Sequence, residues 1–472
     1  MSAVLSRTQT ETLSPTERLE ALCDRGTLDV IRSEVLSGHM GEKARAGDGV
    51  VGGAGMVDGR PVFCYAQDNS YVGGSLGEAH ANTIVRVMEL ADRARAPVVG
   101  FVGSGGARMQ EGVRALGGYG RIFRQAVRLS GRVPQISVVS GLSAGGGAYS
   151  PALTDWIVMT AGASMFLTGP SVVREVLGED VSAEELGGHR VHESNGVAHF
   201  VADSDADAAF LARDLLGYLP SHRDLPLPIA DPRPPGLADP SIHVPDSPRK
   251  VYDVRTVISG IADGGEMLEV APPWARNLCT AFIRIEGRPV GVIANQPRYL
   301  GGVLDVASSE KGARFVNQCD AFGLPMLVLV DTPGFMPGTK QEAAGVIRHG
   351  AGFVHAFAKA TVPRLTVILR KSFGGAFITM NSKDLGADYV FAWPQAEIGV
   401  MGAKPAVGII HRRELAAADD PEAARDLLAE HYAETHLRPQ VAAATGHIDE
   451  LIDPAQTRPR VAWALRSLER AR

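Results

Sequence analysis

Four short apolar, largely β-branched runs recur along this chain, each opened by a proline and followed by a glycine-rich stretch. They are Pro97-VVGFVGSGGAR, Pro134-QISVVSGLSAGGGAYS, Pro325-MLVLVDTPGF and Pro363-RLTVILRKSFGGAF. Proline at a strand's first position removes no interior ladder bond, and an apolar run without alternation suits a strand covered on both faces. Glycines then fall where the backbone has to turn into a helix, so each run predicts a strand followed by a helix. Upstream of each pair lies an alternating segment, Asp48-GVVGGAGMVDGRPVFCYAQD and Ala281-FIRIEGRPVGVIANQP, whose Asp-Gly-Arg-Pro and Glu-Gly-Arg-Pro centres predict antiparallel hairpins. Thr154-Asp-Trp-Ile-Val-Met and Ala387-Asp-Tyr-Val-Phe-Ala extend the repetition at an offset of about 230 residues. One α/β plan is thus written twice. Three amphipathic helices complete the pattern: one after Ser14, with Ser14 as N-cap and Pro15 at the first helical position, and two over Pro421 to Tyr432 and Val461 to Leu468.

Between the halves, nine prolines fall in the 29 residues from Pro220 to Pro248. That density defeats helix and interior strand alike, and it predicts a linker. Two domains follow, 1–235 and 236–472, each long enough to bury its own core. The formal charge of -6, with no block of like charges, gives no field for nucleic acid or anionic lipid. No apolar run reaches membrane-span length, and Met1 to Glu11 lack a signal-peptide layout, so the expected location is cytoplasmic. Cys23, Cys64, Cys279 and Cys319 are too scattered for a zinc or redox motif and read as buried thiols, so no metal site is expected.

Chemistry concentrates in the two richest glycine loops, Ser143-Ala144-Gly145-Gly146-Gly147-Ala148 and Ser372-Phe373-Gly374-Gly375-Ala376-Phe377. At a strand end that becomes a helix start, backbone N–H groups lack an intrahelical acceptor, and glycine lets that backbone approach an oxygen closely. A single such loop reads as a tight turn, whereas a matched pair reads as two oxyanion sites. Gly141-Leu-Ser143-Ala-Gly145 also fits the G-x-S-x-G nucleophile elbow, which would make the chain a serine hydrolase using Ser143, with Asp331 and His349, His355 or His411 available downstream. That reading leaves the second loop unexplained. Ser104-Gly105-Gly106-Ala107-Arg108 opens another turn, where Arg108 either meets a phosphate or pairs with Glu111 at the surface. Asp331 stands at a strand end and is expected to cap the next segment. No G-x-x-x-x-G-K-[ST] or G-x-G-x-x-G pattern argues for ATP or dinucleotide use, and no Met-Lys-Met centre marks a biotinylated lysine.

Pro15-TERLEALCDRGTL, Val72-GGSLGE, Ser104-GGARMQEG, Ser150-PALTD, Glu185-LGGHRVH, Asn295-QPRYLGGVLD, Asp331-TPGFMPGTKQE, Asn381-SKDLGAD and Ile398-GVMGAK, in that order, resemble the carboxyltransferase β subunits of biotin-dependent acyl-CoA carboxylases across nearly the whole chain. The resemblance implies an α/β fold of two tandem crotonase-like domains, each a ββα superhelix. It also implies transfer of CO2 from carboxybiotin, carried by a partner biotin carboxylase/biotin carrier α subunit, to the α-carbon of a short-chain acyl-CoA such as acetyl- or propionyl-CoA. The family works without a protein base and assembles as head-to-tail dimers, commonly three in a hexamer. Carried over, Gly145 and Gly146 form a first oxyanion hole for the acyl thioester, and Gly375 and Ala376 a second for the biotin ureido oxygen, supported by Gly374. Gly105, Gly106, Ala107 and Arg108 fall on the coenzyme A side. Phe377 and Ile378 fall by the acyl pocket, where an apolar Ile378 suits a short alkyl chain or is simply core. Ser143 stands where many relatives carry cysteine, and Gly147-Ala148 replaces Ala-Val. A biotin-dependent decarboxylase or transcarboxylase subunit, running the same half-reaction, is the alternative.

Overall fold

The computed structural model describes residues 12–247 and 250–469, so Met1 to Glu11 and Pro248 lie outside the described residues. The chain divides into two compact units between Pro226 and Leu227. The boundary expected after residue 235 is therefore too late. The intervening residues already bond within the second unit: Ala230 N–H donates to the Gly287 carbonyl (3.0 Å) and Arg284 Nη1 to that of Pro228 (3.1 Å). Among the described residues no helix or strand occurs between Tyr218 and Val254, as the proline density requires.

Unit one contains β1 (Asp29–Ile31), β2 (Val50–Val57), β3 (Arg60–Gln67), β4 (Val98–Ser104), β5 (Gln135–Ala144), β6 (Trp156–Thr160), β7 (Ser164–Phe166) and β8 (Phe200–Ala202). Its sheet order is β1-β2-β3-β4-β5-β6-β8, with β7 added on the far end of β5. Unit two repeats this with β9 (Leu268–Glu269), β10 (Leu278–Ile285), β11 (Arg288–Asn295), β12 (Met326–Thr332), β13 (Arg364–Phe373), β14 (Tyr389–Ala392), β15 (Glu397–Gly399) and β16 (Glu450–Leu451). There the order is β9-β10-β11-β12-β13-β14-β16, with β15 on β13. Both expected hairpins form, β2 with β3 and β10 with β11, and each passes by a helical crossover into parallel strands. These are the ββα units of the crotonase-like fold.

Prolines 97, 134, 325 and 363 stand one residue before β4, β5, β12 and β13. All seven residues of β4 and of β12 are buried, as continuous apolar runs predict. Helices cover them. The helix Pro15–Leu22 starts with Ser14 as N-cap in a reciprocal capping box with Glu17. Pro421–Tyr432 is helical as expected, and the last helix runs from Thr457 to Ser467. All four cysteines are buried and none is in a disulfide. No helix among the described residues is long and apolar enough to cross a membrane.

The duplication extends to single hydrogen bonds. The Gln67 side-chain oxygen accepts the Gly103 N–H (3.1 Å), and Asn295 in the same place accepts that of Asp331 (3.2 Å). Leu76 N–H donates to Gly106 O and Leu304 N–H to Gly334 O, both at 2.9 Å. These bonds hold the turn that follows the inner strand of each unit.

The two units differ in their buried charges. Arg108 is 0% exposed, bonded through Nη1 to Asp48 Oδ1 (2.6 Å) and Glu111 Oε1 (2.9 Å), and through Nη2 to the Ser75 carbonyl (3.0 Å). It is neither a surface ion pair nor a free phosphate ligand. Beside it His80 is fully buried, its Nε2 3.0 Å from the Gln67 amide nitrogen, and burial first, then the Arg108 charge, pushes the imidazole down to about 3. In unit two Asp331 is also 0% exposed, paired with Arg370 Nε (3.0 Å) and accepting the Lys371 N–H (3.3 Å). Asp331 therefore anchors two strands instead of capping a helix. Burial raises its carboxyl above the ordinary range even against Lys371 and Arg370.

Two outcomes follow from these contacts. Asn295→Leu strands the Asp331 N–H and the Gly302 carbonyl, which Asn295 Nδ2 otherwise reaches at 3.2 Å. Urea unfolding is expected to show unit two less stable by about 1–3 kcal/mol. His80, at about 3 when folded against 6.5 in the open chain, takes up its proton only on unfolding. Stability is thus lost as pH falls from 6.5 towards 3, and between pH 7 and 5 the wild type should lose about 2 kcal/mol more than His80→Gln in the same titration.

Candidate active site: two glycine loops in the same register

β4 and β5 pair in parallel up to Val102 and Val139, slip, and pair again at Ser104 with Ser143. β12 and β13 do the same, slipping after Val330 and Ile368 and rejoining at Thr332 with Ser372. The bulge brings Ser143 and Ser372 to equivalent positions, each just ahead of a helix, which starts at Gly146 in unit one and at Gly374 in unit two. On the outer side β7 pairs with Leu142 to Ala144, and β15 with Lys371 to Phe373. The register is therefore Gly145 with Gly374, Gly146 with Gly375, and Gly147 with Ala376.

Gly145 (φ 58°) and Gly374 (φ 60°) carry the turn, in a backbone region that L side chains avoid. Gly145 N–H, however, donates to the Phe166 carbonyl of β7 (3.1 Å), and Gly145 O accepts from Ala148 (3.0 Å). Gly145 is thus engaged and supplies the turn, not a donor. Gly146 and Gly147 open the helix Gly146–Ala152, and among the described residues neither N–H has an acceptor. The donor pair expected at Gly145 and Gly146 accordingly moves on by one residue. Gly375 and Ala376, at the start of the helix Gly374–Thr379, likewise have N–H groups without acceptors, as expected. Both units thus leave the same two N–H positions without acceptors among the described residues, and Gly147 is the one of them that the sequence does not single out. Its signal was available: aligning the two loops on their serines pairs Gly147 with Ala376.

The other expected residues gather around these loops. Gly105 N–H donates to Gly73 O (3.1 Å), Gly106 N–H to Ser104 Oγ (3.3 Å), and Ala107 forms a lone bridge with Leu76. Gly106 (φ 103°) faces the first loop, since a Cβ there would lie 3.7 Å from Ala144 O. Gly106 therefore stands beside the first loop at Ala144, with Gly105 and Ala107 on either side of it in the chain, while Arg108 turns inward. In unit two, Phe335 lies against Gly375, Phe377 is half-buried, and Ile378 is 48% exposed and so not core.

The elbow does not form. Ser143 is 0% exposed and its hydroxyl has no hydrogen-bond partner, and Ser372 repeats the situation at 1%. A nucleophile needs an exposed oxygen and a base in contact. Behind the first loop, Tyr65, Tyr119, Gly147 and Ser150 line a cavity of about 10 Å³. That is room for one water at most, so no larger ligand fits behind the loop. A cleft of about 360 Å³ lies beside the first helix and contains no glycine-loop residue.

The family described as "Carboxyl transferase domain" matches residues 9–472. The methylmalonyl-CoA carboxyltransferase 12S subunit of Propionibacterium freudenreichii subsp. shermanii is 47% identical over 95% of this chain and 87% of its own length. A propionyl-CoA carboxylase carboxyltransferase subunit from Haloferax mediterranei is 48% identical over 97% and 90%. Among solved structures, hexameric transcarboxylase 12S with methylmalonyl-coenzyme A and methylmalonic acid bound superposes with a TM-score of 0.93 at 46% identity, covering 98% of this chain and 91% of that one. With a family match over nearly its whole length and relatives this similar, the chain belongs to the carboxyl transferase domain family.

Proposed function

We propose that this chain is the carboxyltransferase component of a biotin-dependent acyl-CoA carboxylase, acting on short-chain acyl-CoA. The observation that carries the reading is the pair of glycine loops, each with two N–H groups lacking acceptors at the same register. An acyl thioester that loses its α-proton places negative charge on its carbonyl oxygen, and two fixed backbone donors stabilise that charge by about 3 kcal/mol each. Gly146 and Gly147 are assigned to this oxygen, with Gly105, Gly106 and Ala107 beside them on the coenzyme A side. Gly375 and Ala376 are assigned to the ureido oxygen of biotin.

The second loop fits biotin: Gly375 is exposed, and the Phe335 ring and the half-exposed Ile378 offer apolar surface to a fused-ring ligand. Carboxybiotin, delivered by a partner biotin carboxylase/biotin carrier α subunit, would supply the activated carboxyl group. The chain's own residues hold the two reacting groups in place and polarise their oxygens. Arg108 with Glu111, and Asp331 with Arg370, are tied in buried ion pairs, which fits a reaction in which the α-proton would pass to the biotin nitrogen that gives up CO2 and not to these side chains. Met109 (91%), Val113 (79%) and Leu116 (61%) in unit one, and Ile347 (77%), Val400 (75%) and Ile409 (67%) in unit two, are exposed apolar residues. They are assigned to the contacts of a head-to-tail homodimer within a hexamer. The same half-reaction in a transcarboxylase is the second reading, favoured by the 47% identity to the 12S subunit.

The reverse half-reaction tests this: purified protein, biocytin as acceptor, and malonyl-, methylmalonyl- or ethylmalonyl-CoA as donor. Biocytin-dependent loss of the carboxyl group is expected, and its absence from an intact oligomer with every donor would refute the reading. Gly375→Val is the cleaner loop variant, because its Cβ stays 3.8 Å from Phe335 whereas one at Gly146 would lie 2.7 Å from the Tyr119 ring. It should lower kcat by roughly 100-fold or more. Ser143→Ala should keep wild-type turnover, and its loss would return the hydrolase to consideration.

A further inference from the structure

Beneath the first loop lies a contact that unit two makes differently. Tyr119, 5% exposed on the helix Val113–Leu129, packs its ring so tightly under Gly146 that a Cβ there would lie 2.7–2.8 Å from three ring atoms. Its hydroxyl is 2.9 Å from Ser104 Oγ, itself 0% exposed. Ser104 in turn touches both donor-bearing segments: its Oγ accepts the Gly106 N–H (3.3 Å), and its Cβ and carbonyl oxygen would meet a Cβ on Gly147 at 3.0 and 3.2 Å. In unit two the counterpart of Ser104 is Thr332, whose Oγ1 accepts the Gly334 N–H (3.3 Å), but Gly375 meets the hydroxyl-free ring of Phe335.

We propose that Tyr119 and Ser104 are positioning residues for the first loop, a hydrogen-bonded pair that fixes Gly146 and Gly147 against the Gly105–Ala107 turn so that their N–H groups meet the thioester oxygen together. The proposal rests on the carboxyltransferase reading and deepens it by setting the first loop apart from the second. An oxyanion hole is effective only if its donors are held before charge develops, and small misplacements of a reacting group cost rate steeply. The glycine segments have few side chains of their own to hold them, so the rigidity has to come from below. Tyr119 itself does not exchange a proton, since burial pushes its hydroxyl up to about 12.

The test uses Tyr119→Phe, which keeps the ring under Gly146, with Ser104→Ala, the double variant and Ser104→Thr, all in the full chain. Amide hydrogen exchange over residues 144–150 should speed up by about fivefold in both single variants, with Tm shifts under about 5 °C. In biocytin-dependent decarboxylation, kcat should fall by about tenfold with KM within about twofold. The double variant should fall no further than either single one, and Ser104→Thr should recover most of the rate. The ratio of wild-type to Tyr119→Phe rates should stay constant from about pH 6 to pH 9, because the pair does not titrate there. Unchanged exchange over 144–150, additive losses in the double variant, or a rate ratio that changes with pH would each overturn the proposal. A wild type silent in turnover but sensitive to Tyr119→Phe in exchange would instead refute the carboxyltransferase reading alone and leave the brace standing.

Discussion

The first N–H groups of a helix have no acceptor within it, and the use of this site depends on leaving a few of them unpaid by protein atoms. Two short helices, Gly146–Ala152 and Gly374–Thr379, begin directly after long parallel strands. The rest of each unit places that transition. Buried β4 and β12 set the depth, the slip before Ser104 and Thr332 sets the register, and β7 and β15 close the outer side. Water or substrate oxygen is then the available partner for the donors. A reaction that builds charge on a carbonyl oxygen gains most from such a surface.

On the proposed assignment, duplication with divergence lets one chain serve two different oxygens. At one pair of equivalent positions unit one has Gly103 and Gly141, while unit two has Asp331 and Arg370. In unit one the space is filled by the Asn69 amide, which a Cβ on either glycine would meet at 2.2–2.5 Å. In unit two the carboxylate and guanidinium bond to each other, and Arg370 also reaches the carbonyls of Ser247 (3.0 Å) and Lys250 (2.8 Å). Backbone donors are preserved while the buried support beneath them changes from a neutral amide to an ion pair. The desolvation of a buried pair offsets much of its Coulombic gain, so the change of support need not alter net stability.

Much of the fold was legible because it is local. The prolines before β4, β5, β12 and β13, the Asp-Gly and Glu-Gly turns and the Ser14 cap each act within a few residues, and the repeat made each reading twice. The division between units was placed too late because Ala230 bonds to Gly287, far along the chain. Gly145 reads as a free donor in the sequence for the same reason: what occupies its N–H is the Phe166 carbonyl on β7. Arg108 shows only Glu111 nearby in sequence, while its buried partner Asp48 lies 60 residues upstream. Asp331 resembled a cap until Arg370 and Lys371 were brought to it across the sheet. Tyr119 had no motif at all, and only its packing under Gly146 reveals it.

The central claim is that Gly146 and Gly147 polarise a thioester oxygen, and this is visible without turnover. Isotope-edited infrared difference spectra of a bound acyl-CoA, with the thioester carbon carrying ¹³C, read the carbonyl stretch directly. The account predicts a shift to lower frequency on binding, as expected for a carbonyl accepting two backbone hydrogen bonds. A bound thioester whose carbonyl absorbs where it does in water, or higher, would contradict it.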